Sequence, residues 1–350
     1  MHPIVKGDLE YITSTGIPWG DLEGKNILIS GANGFLPAYM IETILFLNDH
    51  RFKKKAKVFA LARNKERVSA RFSGYGRRKD LIYIIQDVCA PIKISKKMNF
   101  IVHAASQASP KFYGVDPVGT ILANTVGTAN LLALAVKHKS EGFMFFSSGE
   151  VYGEVTSGQI PNKEDYYGLV DPSLIRSCYA EGKRAGENMC VSWSHQYKVP
   201  VKIVRPFHTY GPGMRLDDGR VFADFVSDIV NEKDIIMKSD GSAIRAFCYL
   251  SDAVVGFFTV LFSGENAQAY NVGNEHGEIS IKDLAQMLVG LFPDKNLKVK
   301  FDMQSQPEGY LKSAISRHCP DTAKLRNLGW RPQNSLQEGF RRTVESFYNG

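Results

Sequence analysis

Residues 26–40 read NILISGANGFLPAYM. Ile27, Leu28 and Ile29 make an apolar strand, Gly31 and Gly34 bracket a turn, and a helix-favouring run follows. A strand–turn–helix of this kind points free backbone N–H groups and the positive end of a helix dipole outward, which suits a pyrophosphate. Gly31 permits the tight turn, and Gly34 lets the backbone of Asn33, Phe35 and Leu36 approach the anion. Where the dinucleotide fingerprint has a third glycine for helix–strand packing, this chain has Pro37. Proline is tolerated in the first helical turn, where its missing N–H costs little. The helix is therefore expected to begin at Gly34 or Phe35, with the Pro37 ring turned away from the phosphates. The turn alone is equally compatible with an ordinary strand–turn–helix.

Outward from this segment, strand-like and helix-like patterns alternate. Apolar strands read at 26–30, 57–62, 81–85, 99–103, 142–147 and 200–204, and helices at 35–48, 64–70, 118–138 and 176–197. Short, nearly continuous apolar runs suit strands buried on both faces, and their alternation with helices predicts an α/β fold, a Rossmann-type doubly wound parallel sheet. After Pro206 the pattern loosens into a loop (GPGMRLDDGR), an amphipathic helix (FADFVSDIV) and a final helix at about 336–348. The expected division is an N-terminal extension over 1–21 and a dinucleotide-binding domain over 22–205 with a return segment near 244–262. A smaller, mainly substrate-binding lobe over 206–350 would close over the carboxyl edge of the sheet. Residues 1–20 either pack on the surface or form an arm.

The 350 residues are 44% hydrophobic and 23% charged, ordinary for a globular chain. The net charge of +7 owes much to the runs RFKKKAK (51–57) and RFSGYGRRK (71–79). These read as a solvated face, since nucleic-acid binding would interleave them with aromatics on one platform. A basic field still favours anionic nucleotides. No run of about 18 apolar residues is present, so no membrane span is expected, and MHPIVKGDLEYI lacks the pattern of a secretory signal. Cys89, Cys178, Cys190, Cys248 and Cys319 are scattered without a CxxC pair, which argues against a metal site or disulfide framework and for a cytoplasmic protein.

The chemistry is concentrated downstream. CYAEGKRAGE places Tyr179 and Lys183 four apart, on one helical face. An ammonium beside a phenol favours phenolate and is expected to lower the tyrosine pKa from about 10 toward neutrality. Such a phenolate is a general base for a sugar or alcohol hydroxyl. FFSSGEVYG ends a strand with Ser148, whose hydroxyl could bond the same group.

Together these residues resemble the extended short-chain dehydrogenase/reductases that modify nucleotide sugars, the NAD-dependent epimerase/dehydratase family, over roughly 22–345. GANGF resembles the family's GxxGF turn, QDV (86–88) its adenine-contacting pair, VHAAS (102–106) its nicotinamide-side strand, and ANTVGT (123–128) a family helix. The resemblance implies that Gly31, Asn33, Gly34, Phe35, Leu36, Asp87, Val88, Ala104, Ala105, Asn124, Tyr179, Lys183 and Pro206 hold NAD. It makes Tyr179 the base, Lys183 its tuner, and Ser148 the partner of the substrate C4 hydroxyl. Among the family's branches, RSCYAEGKR, DDGRV and RAFCYLSDA are most similar to the decarboxylases of UDP-glucuronate. By that likeness Arg245 grips the diphosphate, with Arg220 and Arg317 as further substrate contacts, and the protein is a homodimer packed through helices 118–138 and 176–197.

Glu150 bears on which reaction is implied. An acid at this place accompanies decarboxylases and 4,6-dehydratases, and simple 4-epimerases usually lack it. A dehydratase also wants an acid just before it, and this chain has Gly149, which departs equally from the serine of the decarboxylases. His208 stands where asparagine is usual, facing the substrate or packed within the fold. After the second strand, Ala62 and Arg63 occupy the place where NAD-binding relatives carry an aspartate, and Arg63 would equally suit the 2′-phosphate of NADP. The implied reaction is decarboxylation of a UDP-sugar acid through transient C4 oxidation. The alternatives are 4-epimerisation or 4,6-dehydration of another NDP-hexose, and more remotely a regulator that binds the cofactor without turnover. Lys111 and Arg176 are the candidate partners for a sugar carboxylate.

Overall fold

The computed structural model describes residues 1–302 and 315–348. Its strands are β1 (Asn26–Ser30), β2 (Lys57–Ala62), β3 (Leu81–Ile85), β4 (Phe100–His103), β5 (Gly142–Phe146), β6 (Val201–Pro206), β7 (His208–Tyr210), β8 (Ile235–Met237), β9 (Ile244–Tyr249), β10 (Gln268–Val272), β11 (Glu278–Ser280), β12 (Val299–Phe301) and β13 (Arg317–His318). Its helices are α1 (Pro3–Ser14), α2 (Phe35–His50), α3 (Lys65–Arg71), α4 (Pro117–Asn124), α5 (Val126–His138), α6 (Cys178–Tyr197), α7 (Val221–Val230), α8 (Leu250–Ser263), α9 (Ile281–Leu291), α10 (Ala323–Arg326) and α11 (Leu336–Glu345).

Seven strands form one parallel sheet in the order β10-β6-β5-β4-β1-β2-β3. Ile29 of β1 lies between Ala60 of β2 and Val102 of β4. The order reverses between β1 and β4, so the crevice where open α/β sheets take ligands opens beyond Ser30 and His103. One sheet face packs on α2 and α8 with Met40, Ile44, Val254 and Phe258 buried. The other packs on α5 and α6 through Leu131, Leu132 and Cys190. A separate core around Phe222, Phe225, Phe247, Leu284 and Phe340 holds the C-terminal part together. There β9 anchors a smaller sheet with β7, β11 and β13.

Two stretches differ from the sequence reading. The expected return near 244–262 is divided: 244–249 belongs to the smaller sheet, whereas α8 and β10 return to the large one. The single helix at 118–138 is two, broken at Thr125 (φ −112°, ψ −71°). Against the expectation of no membrane-length apolar run, Pro117–His138 is long and apolar enough to cross a membrane by length and composition, and 44% of its 18-residue apolar window is buried within the protein. Residues 1–20 carry α1, which packs on the rest of the fold, the first of the two alternatives the sequence left open.

Asp8 makes that docking specific. It is 1% exposed, accepts from the hydroxyls of Tyr39 (2.8 Å) and Tyr249 (2.9 Å), and pairs with Arg342 at 2.6 Å. One carboxylate thereby ties α1 to α2, β9 and α11. Tyr11 donates to Asp252 on α8 at 3.0 Å, and His2 meets the Tyr348 carbonyl at 3.3 Å. α2 is buried along nearly its whole length because the sheet covers one side and α1 and α8 the other.

Candidate active site

The glycine turn stands at the head of the crevice. Gly31 has φ +68°, and a Cβ there would lie 2.8 Å from the Ala104 carbonyl oxygen and the Ala105 Cα. The residue must be glycine both for its left-handed backbone and for the close approach of the strand end. The helix begins at Phe35 with Gly34 as N-cap, and no side chain caps the first turn, so its leading amides face the crevice. Pro37 is buried, and its Cγ would stand 3.3 Å from a Cβ on Gly34. The ring thus packs beneath the turn and fills space that a side chain at 34 would need. A tight turn that admits no Cβ at 31, followed by a helix start with no side-chain cap, fits a dinucleotide pyrophosphate.

Around the cradle, the amides of Ala104 and Ala105 are taken by Ser30 Oγ at 3.1 and 3.2 Å, leaving their small side chains to line the crevice. Asp87 accepts from the Cys89 amide at 2.8 Å, and Val88 is buried beneath it. Arg63 is 64% exposed and reaches toward Asp87 at 3.8 Å. Asn124 is buried with its Oδ1 unpartnered, its amide nitrogen donating to Thr120 O. Pro206 ends β6 and is followed directly by Phe207, which packs against the site.

Tyr179 opens α6 and Lys183 follows one turn on, both buried. Lys183 Nζ donates to the Phe146 carbonyl at 2.6 Å and lies 5.6 Å from the Tyr179 ring centre. Burial lowers the lysine to about 7. It lifts the Tyr179 phenol to about 12, against the opposing pull of the Ser148 hydrogen bond and Arg220, with Glu150 adding to the rise. The expected fall of the phenol toward neutrality is therefore not seen. The ammonium sits over the ring and engages a carbonyl, and loss of water from the phenolate outweighs the groups that favour it.

Ser148 and Glu150 lie on the 3-10 turn after β5, where Ser148 Oγ accepts from the Glu150 amide at 3.2 Å. Arg176, just ahead of α6, approaches Glu150 at 3.6 Å and lies over the Tyr113 ring at 5.8 Å. Tyr113 stacks on Tyr179 with centroids 5.1 Å apart and donates to the Ala108 carbonyl. No motif marked Tyr113 in the sequence, because only the fold carries its loop to α6.

The structure brings some of the expected substrate residues together and not others. Arg220 faces Tyr179 closely enough to act on its phenol, with its own guanidinium on Asp218 at 2.7 Å. His208 lies under the charges of Arg245 and Arg220, which with burial and His318 keep its ring neutral. Arg245 bonds the carbonyls of Ile244 and Ile315 at 2.8 Å and of Ser316 at 3.2 Å, organising the start of β13. Arg317 is engaged by Glu278 in two bonds of 2.6 and 2.7 Å. Lys111 turns to the Asp217 carbonyl at 2.5 Å, joining the 106–116 loop to the 214–220 loop and leaving Arg176 as the basic side chain at Glu150.

The model for a family described as NAD dependent epimerase/dehydratase matches residues 27–273. The chain is 33% identical over 349 residues to UDP-glucuronic acid decarboxylase 2 of Arabidopsis thaliana, spanning 98% of this chain and 74% of that one. It is 32% identical to UDP-glucuronic acid decarboxylase 1 of Danio rerio over 92% of this chain and 72% of the other. Among solved structures, the fold resembles a UDP-N-acetylglucosamine 4-epimerase from Methanobrevibacter ruminantium M1 (TM-score 0.79, 22% identity, 93% and 98% coverage). It also resembles UDP-glucuronic acid 4-epimerase from Bacillus cereus in complex with UDP-glucuronic acid and NAD (TM-score 0.73, 21% identity, 92% and 98% coverage).

Proposed function

This chain belongs to the NAD dependent epimerase/dehydratase family, and within that family we propose that it decarboxylates UDP-glucuronate with NAD as its resident cofactor. It is an enzyme of nucleotide-sugar modification, and the finer reading rests chiefly on the turn at 148–150. Glu150 is present with Arg176 at 3.6 Å, a cation suited to a sugar carboxylate. The position before Glu150 is Gly149, which offers no acid for a dehydratase, and a Cβ there would lie 2.7 Å from His318 Cε1, so the ring would have to shift. Near-full-length likeness to two decarboxylases agrees with this choice.

Gly31, Gly34 and the amides of Phe35 and Leu36 would hold the pyrophosphate, with Asp87 and Val88 at the adenine and Lys183 at a ribose. Arg63 leans to Asp87 and so does not stand apart as a 2′-phosphate ligand, which favours NAD over NADP. When bound, NAD would supply the two-electron oxidation at C4 and, once reduced, would return the hydride to C4 after carbon dioxide has left, which gives the pentose and restores the cofactor. Ser148 orients the C4 hydroxyl and Tyr179 takes its proton. With C4 a ketone, the C5 carboxylate is a β-keto acid: its C–C bond breaks, carbon dioxide leaves, and the electron pair enters an enolate that C5 reclaims with a proton. Tyr113, stacked on Tyr179, walls the phenol from water.

We further assign a homodimer built on α4 and its neighbours, supported by Val118, Ile121, Leu122 and Val126, which are 66%, 38%, 39% and 39% exposed. The experiment for the reaction is incubation of the protein with UDP-glucuronate and NAD, following carbon dioxide and the sugar nucleotide by mass. Carbon dioxide with a pentose nucleotide is expected. Turnover of a neutral NDP-hexose with none of UDP-glucuronate would overturn it.

A further inference from the structure

Residues 149 and 208, where the chain departs from its family's pattern, are brought together by a third residue. His318 on β13 packs its ring 4.4 Å from that of Phe207 and directs Nε2 at the Gly149 carbonyl, 3.0 Å away. A Cβ on Gly149 would stand 2.7 Å from His318 Cε1 and 2.9 Å from Nε2, so the imidazole occupies the volume a serine side chain would need. The other nitrogen, Nδ1, faces His208 Nε2 at 3.4 Å, the two rings meeting edge to face.

This chain of contacts fixes the protons. A carbonyl oxygen only accepts, so His318 carries its hydrogen on Nε2. Nδ1 of the neutral ring is then an acceptor, and His208 must donate to it from Nε2. Neutrality is enforced by surroundings: burial and Arg245 bring His318 to about 3, and burial, His318, Arg245 and Arg220 hold His208 well below its usual value. His208 is left with a bare lone pair on Nδ1. An asparagine at this place could donate as well as accept; this histidine can only accept. A diphosphate oxygen has no proton to offer it, whereas a sugar hydroxyl does.

We infer that His318 is a positioning residue that substitutes for a side chain at 149, and that through it His208 becomes a hydrogen-bond acceptor for a hydroxyl of the hexose. The second half rests on the nucleotide-sugar reading above; the first does not. One relay thereby joins the Ser148–Glu150 turn to sugar recognition, since Gly149 lies between those two residues.

The protons can be read directly. In protein labelled with 15N-histidine, long-range 1H–15N spectra distinguish the tautomers, and His208→Asn and His318→Asn variants assign the signals. Both rings are expected neutral with hydrogen on Nε2 between about pH 6 and 8, before any nucleotide is added. An Nδ1–H tautomer or an imidazolium at either residue overturns the relay whatever the substrate proves to be. Adding UDP-glucuronate should then shift His208 Nδ1, and adding UDP alone should not; equal shifts would place His208 on the diphosphate and overturn the assignment. Gly149→Ser should raise KM for UDP-glucuronate about tenfold with a smaller change in kcat. Adding His318→Ala should recover the melting temperature that Gly149→Ser loses, by vacating the volume, while KM stays raised because His208 has lost its partner. An unchanged KM in the single variant, or no recovery of melting temperature in the double, would show that His318 does not stand in for residue 149.

Discussion

At the scale of single residues, the proposed chemistry turns on a phenol that burial holds protonated. Tyr179, pushed up to about 12, is almost wholly neutral at neutral pH, so its use as a base must grow with alkalinity. We expect kcat/KM to climb across about pH 6 to 9, and Tyr179→Phe to lose about a thousandfold in kcat while its NAD affinity, measured by calorimetry, stays within a fewfold. A flat profile, or a Phe variant that turns over normally, would remove Tyr179 from the chemistry. Tyr179, Lys183, Ser148 and Glu150 were legible in the sequence because each is fixed by local spacing within one helix or one strand end. The direction of the phenol's pKa was not, because desolvation depends on what covers it. Tyr113 and His318 were invisible for the same reason: each is brought to the site by a distant loop or strand, and neither belongs to a spaced motif.

At the scale of elements, boundaries set by glycine, proline and apolar runs were the readable part. Gly34 as N-cap and Pro37 in the first turn define the start of α2, and the six strands read before residue 206 correspond to β1–β6. The break at Thr125 has no such punctuation, and the return of α8 and β10 to the large sheet is a matter of tertiary packing. α1 is the element whose role only the fold reveals. Burial raises Asp8 to about 6 despite Arg342. Its folded-state value lies above its unfolded one, so the stability it contributes is present at low pH and lost as pH rises through about 6. Relative to Asp8→Asn, the native chain should lose up to about 3 kcal/mol between about pH 4 and 7, read from melting curves across that range. A difference that does not vary with pH would mean the carboxylate is solvated. Asp8→Ala, which strands Arg342 and two tyrosine hydroxyls, should cost about 3 kcal/mol at neutral pH.

At the scale of the whole molecule, the parallel sheet and its crevice follow from the alternation of strands and helices, whereas the assembly does not follow from composition. Val118, Ile121, Leu122 and Val126 leave apolar side chains open on α4 and the start of α5, the face on which we propose that a second copy sits. Light scattering should give twice the chain mass, and Val118→Glu with Leu122→Glu should give a monomer of unchanged circular dichroism. A native monomer would assign that face to something else. The contacts of α1 have one more consequence, for the mechanics of the chain. Because His2 and Tyr348 touch and Asp8 holds Arg342, α1 and α11 are fastened side by side. A pull applied between them would load that clasp first, and the strands around the crevice would feel tension only after it had given way.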